Sequence, residues 1–150
     1  MILATRSDTD RRRSRGFSLV ELMVAVAIVG ILSMIALPSF MQSVRKSKRI
    51  DAQAALTRTS TNLERFFVQA GTYTTTVASL GVLVDSGVGY SDDRNYVITV
   101  AAGATGIASS YVVTATAVAD TMQADDTGCT VFTVSSLGQR TPDPSTSKCW

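Results

Sequence analysis

Histidine does not occur in this 150-residue sequence. Its absence removes the usual general base at neutral pH, the Ser-His-Asp and Cys-His arrangements, and the most frequent zinc ligand. No glycine-rich phosphate loop and no metal-ligand cluster stands in their place. The only acidic pairs, Asp92-Asp93 and Asp125-Asp126, lack the spacing of a calcium loop, which needs six to eight oxygens; they read as solvated turns. No enzyme activity, metal or cofactor is therefore expected. Cysteine occurs twice, at Cys129 and Cys149, with 19 residues between. That spacing suits one loop-closing disulfide in an oxidising compartment, whereas a reducing one would leave two free thiols.

Charge is scarce and unevenly placed. The formal net charge of +2 hides five Arg against two Asp in residues 1–16, and nine Lys and Arg against ten Asp and Glu in the rest. From Tyr73 onward only Arg94, Arg140 and Lys148 face seven Asp. A net acidic C-terminal part attracts phosphate backbones poorly, so DNA is a partner of low rank.

The sharpest change in composition falls at Gly16. Before it lie Arg11, Arg12, Arg13 and Arg15; after it comes an apolar segment in which the 23 residues from Leu22 to Val44 carry no charge. At about 1.5 Å per residue such a helix crosses a bilayer core of roughly 30 Å. A cleaved secretory signal would have a shorter apolar region, about 7–15 residues, and would not place a carboxylate, Glu21, at its start. Glu21 would cost about 2.5–3.5 kcal/mol at a bilayer centre and less near the interface, so a functional role with a cationic partner is expected. The leader arginines favour a cytoplasmic N-terminus, although Arg45, Lys46, Lys48 and Arg49 weigh on the other flank. A disulfide would require the C-terminal part to be exported.

The helical pattern continues to Ala70. Ala52, Leu56, Leu63, Phe66, Phe67 and Ala70 recur at helical spacing, and Gly71 offers a stop. The helix should thus be apolar all round in its first half and amphipathic in its second, with Leu63, Phe66 and Phe67 packing on a sheet. Residues 71–94 read as a long loop with a short helical turn around Val77 to Leu80. Three strand-like runs follow, 95–101, 111–118 and 129–135, in an order that favours an antiparallel meander. The tail from Leu137, with Pro142 and Pro144, reads as loop ending in a cysteine.

The segment Gly16-Phe17-Ser18-Leu19-Val20-Glu21-Leu22-Met23 resembles the prepilin leader motif of type IV pilins and type II secretion pseudopilins. The resemblance implies cleavage after Gly16 by a prepilin peptidase, N-methylation of Phe17, and a role for Glu21 in filament assembly. Gly30 and Pro38 fall where type IVa pilins have a helix-weakening Gly and Pro; a proline at 38 cannot donate to the Met34 carbonyl. The implied fold is α+β and pilin-like: a long N-terminal helix, part transmembrane and part amphipathic, packed on a small antiparallel sheet with a C-terminal disulfide loop, Cys129 to Cys149. Residues 1–16 would be the leader, 17–44 the membrane and assembly half of the helix, and 45–150 the head. The C-terminal pattern looks most like PilE-type minor pilins.

The resemblance implies a structural subunit, inserted in a bacterial inner membrane with its N-terminus cytoplasmic and its head periplasmic. It would then assemble with other pilin subunits, through inner-membrane pilus machinery, into a surface filament serving adhesion, twitching motility or DNA uptake. A type II secretion pseudopilin is the alternative; such proteins often brace the head with calcium where type IV pilins use a disulfide.

Overall fold

The computed structural model describes residues 16–150; the leader arginines lie outside the described residues. The chain divides into two compact units between Ser39 and Phe40. The first contains the opening turns of helix α1, which spans Leu19–Ala70 and carries Pro38 within it. Its side chains are exposed almost throughout, from Phe17 and Leu19 to Ile35 and Leu37. The Ser33 hydroxyl donates to the Val29 carbonyl at 2.8 Å, which keeps that polar group satisfied inside an apolar stretch.

The second unit is built on the rest of α1. Ala52, Ala55, Leu56, Thr59 and Leu63 are its buried residues, spaced to lie on one face. Small residues at 52 and 55 favour close approach of whatever packs there, and the Thr59 hydroxyl is satisfied at 2.7 Å by the Ala55 carbonyl. Gly71, at φ +70°, ends the helix in a left-handed conformation with its N–H on the Phe67 carbonyl at 2.8 Å.

Six strands follow in one antiparallel sheet in sequential order: β1 (Leu83–Asp85), β2 (Val88–Tyr90), β3 (Tyr96–Ala102), β4 (Tyr111–Ala117), β5 (Val131–Ser135) and β6 (Arg140–Thr141). The three expected strands are β3, β4 and β5, and the meander is as expected. The loop expected over residues 71–94 holds the 3-10 turn Val77–Leu80 as read from sequence, but also the hairpin of β1 and β2. Each of those strands has only three residues, too few for an alternating pattern to emerge. The Ser86-Gly87 turn between them has φ of 51° and 84°, the mirror-image geometry that suits a two-residue hairpin.

Alternation on β3 and β4 sets the core. Tyr96, Ile98 and Val100 on β3, and Tyr111, Val113 and Ala115 on β4, are buried while their neighbours are not. The register places Ile98 opposite Ala115 and Ala115 opposite Phe132, so a small side chain sits between two large ones. Together with Leu56, Leu63 and Leu80 these residues form a single cluster, against which Phe66 is partly buried. Phe67 is half-buried and stacks on Tyr73 with ring centroids 4.6 Å apart, whereas Ala70 is exposed. Gly89 permits the close approach of β2 and β3, because a Cβ there would lie 2.9 Å from the Ile98 carbonyl oxygen.

Candidate functional site: the junction helix and the head clamp

In the first unit Gly16 and Phe17 precede the helix, and Glu21 lies in its first turn. All three are exposed; Phe17 retains 78% of its accessible surface. A carboxylate in a first turn is favoured by the helix dipole and remains free to meet an external cation. From Leu19 to Met41 the large apolar side chains are exposed on all sides of α1, and the helix is long and apolar enough to cross a membrane. The stretch of this helix that is apolar enough to cross a membrane is wholly unburied among the described residues. At Gly30 a Cβ would meet nothing within 4 Å beyond the helix's own backbone and the adjoining residues. At Pro38 the helix continues unbroken, although proline supplies no N–H for the ladder.

In the second unit three arginines of α1, Arg45, Arg49 and Arg58, pair with Asp residues of the head. Arg49 donates from Nε and Nη2 to the two carboxylate oxygens of Asp126, at 2.7 and 2.8 Å, and from Nη1 to the Lys148 carbonyl at 2.8 Å. Both charged side chains are largely buried, at 12% and 7% exposure. The hydrogen bonds to Asp126 outweigh burial and hold the Arg49 guanidinium above its ordinary pKa. A buried pair of this geometry is costly to break on one side, by about 3–5 kcal/mol. One helical turn along, the Gln53 amide donates to the Cys149 carbonyl at 3.3 Å. The Gln123 side chain, fully buried, donates to the Arg45 carbonyl at 3.3 Å and to the Tyr96 hydroxyl at 2.7 Å. Asp126 is thus no solvated turn residue, contrary to the sequence reading. It is the buried counter-ion of a helix arginine, and spacing along the chain does not reveal a partner 77 residues away.

A second α1 polar contact is made by Asp51, which accepts from the Ser91 hydroxyl at 2.6 Å and from the Asn95 amide at 3.2 Å, pinning the turn between β2 and β3. Beside that turn, Arg58 grips Asp92 through two 2.6 Å contacts, which hold the Asp92 carboxyl below its usual range. Glu64 accepts from two phenols, Tyr73 at 3.1 Å and Tyr111 at 3.0 Å. Burial, then this hydrogen bond, pushes Tyr111 up to about 12.

Cys129 and Cys149 are joined in a disulfide, and both are buried. The loop it closes carries β5 and β6 and ends against the core, where the Trp150 ring meets Phe132 edge-on at 5.4 Å.

Residues 38–133, almost two thirds of the chain, match the family model described as "Type IV minor pilin ComP, DNA uptake sequence receptor". The chain belongs to this type IV pilin family. Residues 11–37 match a second model, the prokaryotic N-terminal methylation motif, which covers the Gly16–Phe17 junction and Glu21. Among relatives, the type IV major pilin protein PilA of Myxococcus xanthus is 36% identical over 61% of this pilin and 40% of its own length. The type II secretion system core protein G of Dickeya chrysanthemi is 32% identical over 57% of this chain and 56% of its own. Fimbrial protein EcpB of Eikenella corrodens is 30% identical over 61% of each. The pilin thus spans 40–61% of the length of these curated relatives.

Proposed function

We propose that the protein is a minor subunit of a type IV pilus. Its precursor is cleaved after Gly16 by a prepilin peptidase, methylated at the Phe17 amine, and held in a bacterial inner membrane by α1 with the head in the periplasm. Inner-membrane pilus machinery then lifts it into a filament among other pilin subunits. The observation that carries this reading is the long exposed apolar half of α1 with its one carboxylate, Glu21, four residues after Phe17. The α-amine of Phe17 on a neighbouring subunit is the cation this carboxylate would pair with, so desolvation of Glu21 in the filament is compensated. The Cys129–Cys149 disulfide and the match to a minor pilin family support a pilus over a secretion pseudopilin.

Mass spectrometry of sheared surface filaments should find a chain starting at N-methylated Phe17. Glu21→Ala should leave insertion and cleavage intact while lowering incorporation into filaments. Normal incorporation of that variant would overturn the pairing.

The family description also names a DNA uptake sequence receptor, so DNA is the ligand to test after assembly. The head's ion pairs weigh against a broad electrostatic footprint. Arg45, Arg49, Arg58 and Arg94 each face an Asp, leaving Lys46, Lys48, Arg65, Arg140 and Lys148 without a carboxylate partner among the described residues. Weak binding to duplex DNA with a shallow salt dependence is the expected outcome of a gel-shift titration.

A further inference from the structure

One guanidinium grips the neighbourhoods of both cysteines. Asp126 stands three residues before Cys129, in a turn closed by the Cys129 N–H on the Asp126 carbonyl at 2.8 Å. Lys148 stands immediately before Cys149. Arg49 binds the Asp126 carboxylate and the Lys148 carbonyl at the same time, and Gln53, one helical turn on, binds the Cys149 carbonyl. All of these contacts are non-covalent, and none involves a sulfur atom. Their donors project from a helix that is itself fixed in the core by Ala52, Ala55 and Leu56.

We propose that Arg49 is a positioning residue for oxidation of the head: it assembles the two thiols before the bond exists, so the disulfide locks a loop already docked. The chemistry needs an external oxidant that carries a disulfide, such as an oxidised thiol–disulfide oxidoreductase or oxidised glutathione. One cysteine thiolate attacks the oxidant's S–S bond, forming a mixed disulfide and releasing one oxidant sulfur as thiolate. The second cysteine thiolate then attacks the protein sulfur of that mixed disulfide. The Cys129–Cys149 bond forms, the second oxidant sulfur leaves, and the two protons lost by the cysteines end on the two oxidant thiols. The cysteines are oxidised and the oxidant reduced by the same two electrons. Arg49 acts on the second attack, which is intramolecular, and its rate and equilibrium depend on how often the free tail brings Cys149 to Cys129. With the tail held by Lys148, that search is short.

The test uses the full chain in detergent, reduced and then equilibrated against mixtures of reduced and oxidised glutathione, with the dithiol and disulfide forms counted by alkylation and mass. Arg49→Gln should lower the effective concentration of the thiol pair about tenfold or more, the change expected when charge-assisted hydrogen bonds are lost from a largely buried group. Arg58→Gln, which removes an equally short pair remote in sequence from both cysteines, should change it less than twofold. Because Arg49→Gln can also impair folding, a second measurement keeps Arg49 and removes the sulfurs. In Cys129→Ser/Cys149→Ser, the segment 137–150 should resist limited proteolysis nearly as well as in the oxidised protein. An Arg49→Gln effective concentration within twofold of the parent would overturn the proposal. So would rapid cleavage of that segment in the serine pair with Arg49 intact, since the disulfide would then be doing the docking.

Discussion

Tyr111→Phe removes one oxygen from the core and should make the stability difference between parent and variant reverse with pH. Tyr111 is 3% exposed, and its hydroxyl donates to Glu64 at 3.0 Å. At pH 8 the variant loses that hydrogen bond, and exposed Glu64 keeps water and Tyr73 as partners, so the loss should be about 1–1.5 kcal/mol. Above pH 10 the balance changes. Burial and the Glu64 carboxylate raise the folded phenol to about 12 from an ordinary 10. A folded-state pKa raised in this way contributes stability that is complete below pH 10 and is lost as pH climbs through 12. That displacement of the phenol corresponds to on the order of 2 kcal/mol once solvent screening at the head surface is allowed for. A phenylalanine at 111 has no such dependence, and the other raised phenols, Tyr73 and Tyr96, are common to both proteins and cancel in the difference. The parent should therefore lead at pH 8, draw level near pH 11 and fall behind at pH 12. Urea unfolding of both proteins across that range, followed by tryptophan fluorescence, measures the gap directly. A gap that stays constant from pH 8 to 12 would refute the assignment of Tyr111 as a buried phenol held neutral by its surroundings.

Two further outcomes follow from the packing. Phe132→Ala empties a fully buried position between Tyr96 and Trp150, whose rings lie 5.8 and 5.4 Å from it, and should cost about 3–5 kcal/mol in urea unfolding. Gly89→Ala should cost about 1–3 kcal/mol, because its Cβ would press on the Ile98 carbonyl oxygen and on the Val77 and Val82 methyls; an unchanged unfolding midpoint would show that β2 shifts freely.

Most of the architecture was legible because it rests on long, repetitive signals. The apolar run, the continuation of α1 to Ala70, the stop at Gly71 and the three longer strands are each written over five or more residues or a strong local stop, so pattern and structure agree. The junction around Gly16, Phe17 and Glu21 is a compact motif, and the N-terminal methylation model matches it over residues 11–37. What escaped was short or distant. The strands β1, β2 and β6 are two or three residues long and owe their pairing to neighbours rather than to their own pattern. The Arg49–Asp126 pair spans 77 residues, and Glu64 meets Tyr111 across 47. In the sequence the cations at 45–49 read as topology signals, yet four positive charges within five residues of an amphipathic helix, in a chain with an acidic pair just before Cys129, are a hint that the head neutralises some of them internally.

The sheet ends abruptly on both sides, at a three-residue β1 and a two-residue β6, the latter followed at once by Pro142, which has no N–H to offer. Those blunt margins matter for a protein proposed to live at high local density among copies of its kin. A long open margin would invite strand-to-strand annealing between heads and a tangle with no defined repeat. With the margins cut short, backbone pairing between heads has little to grip, and order in the proposed assembly would fall to the helical stems.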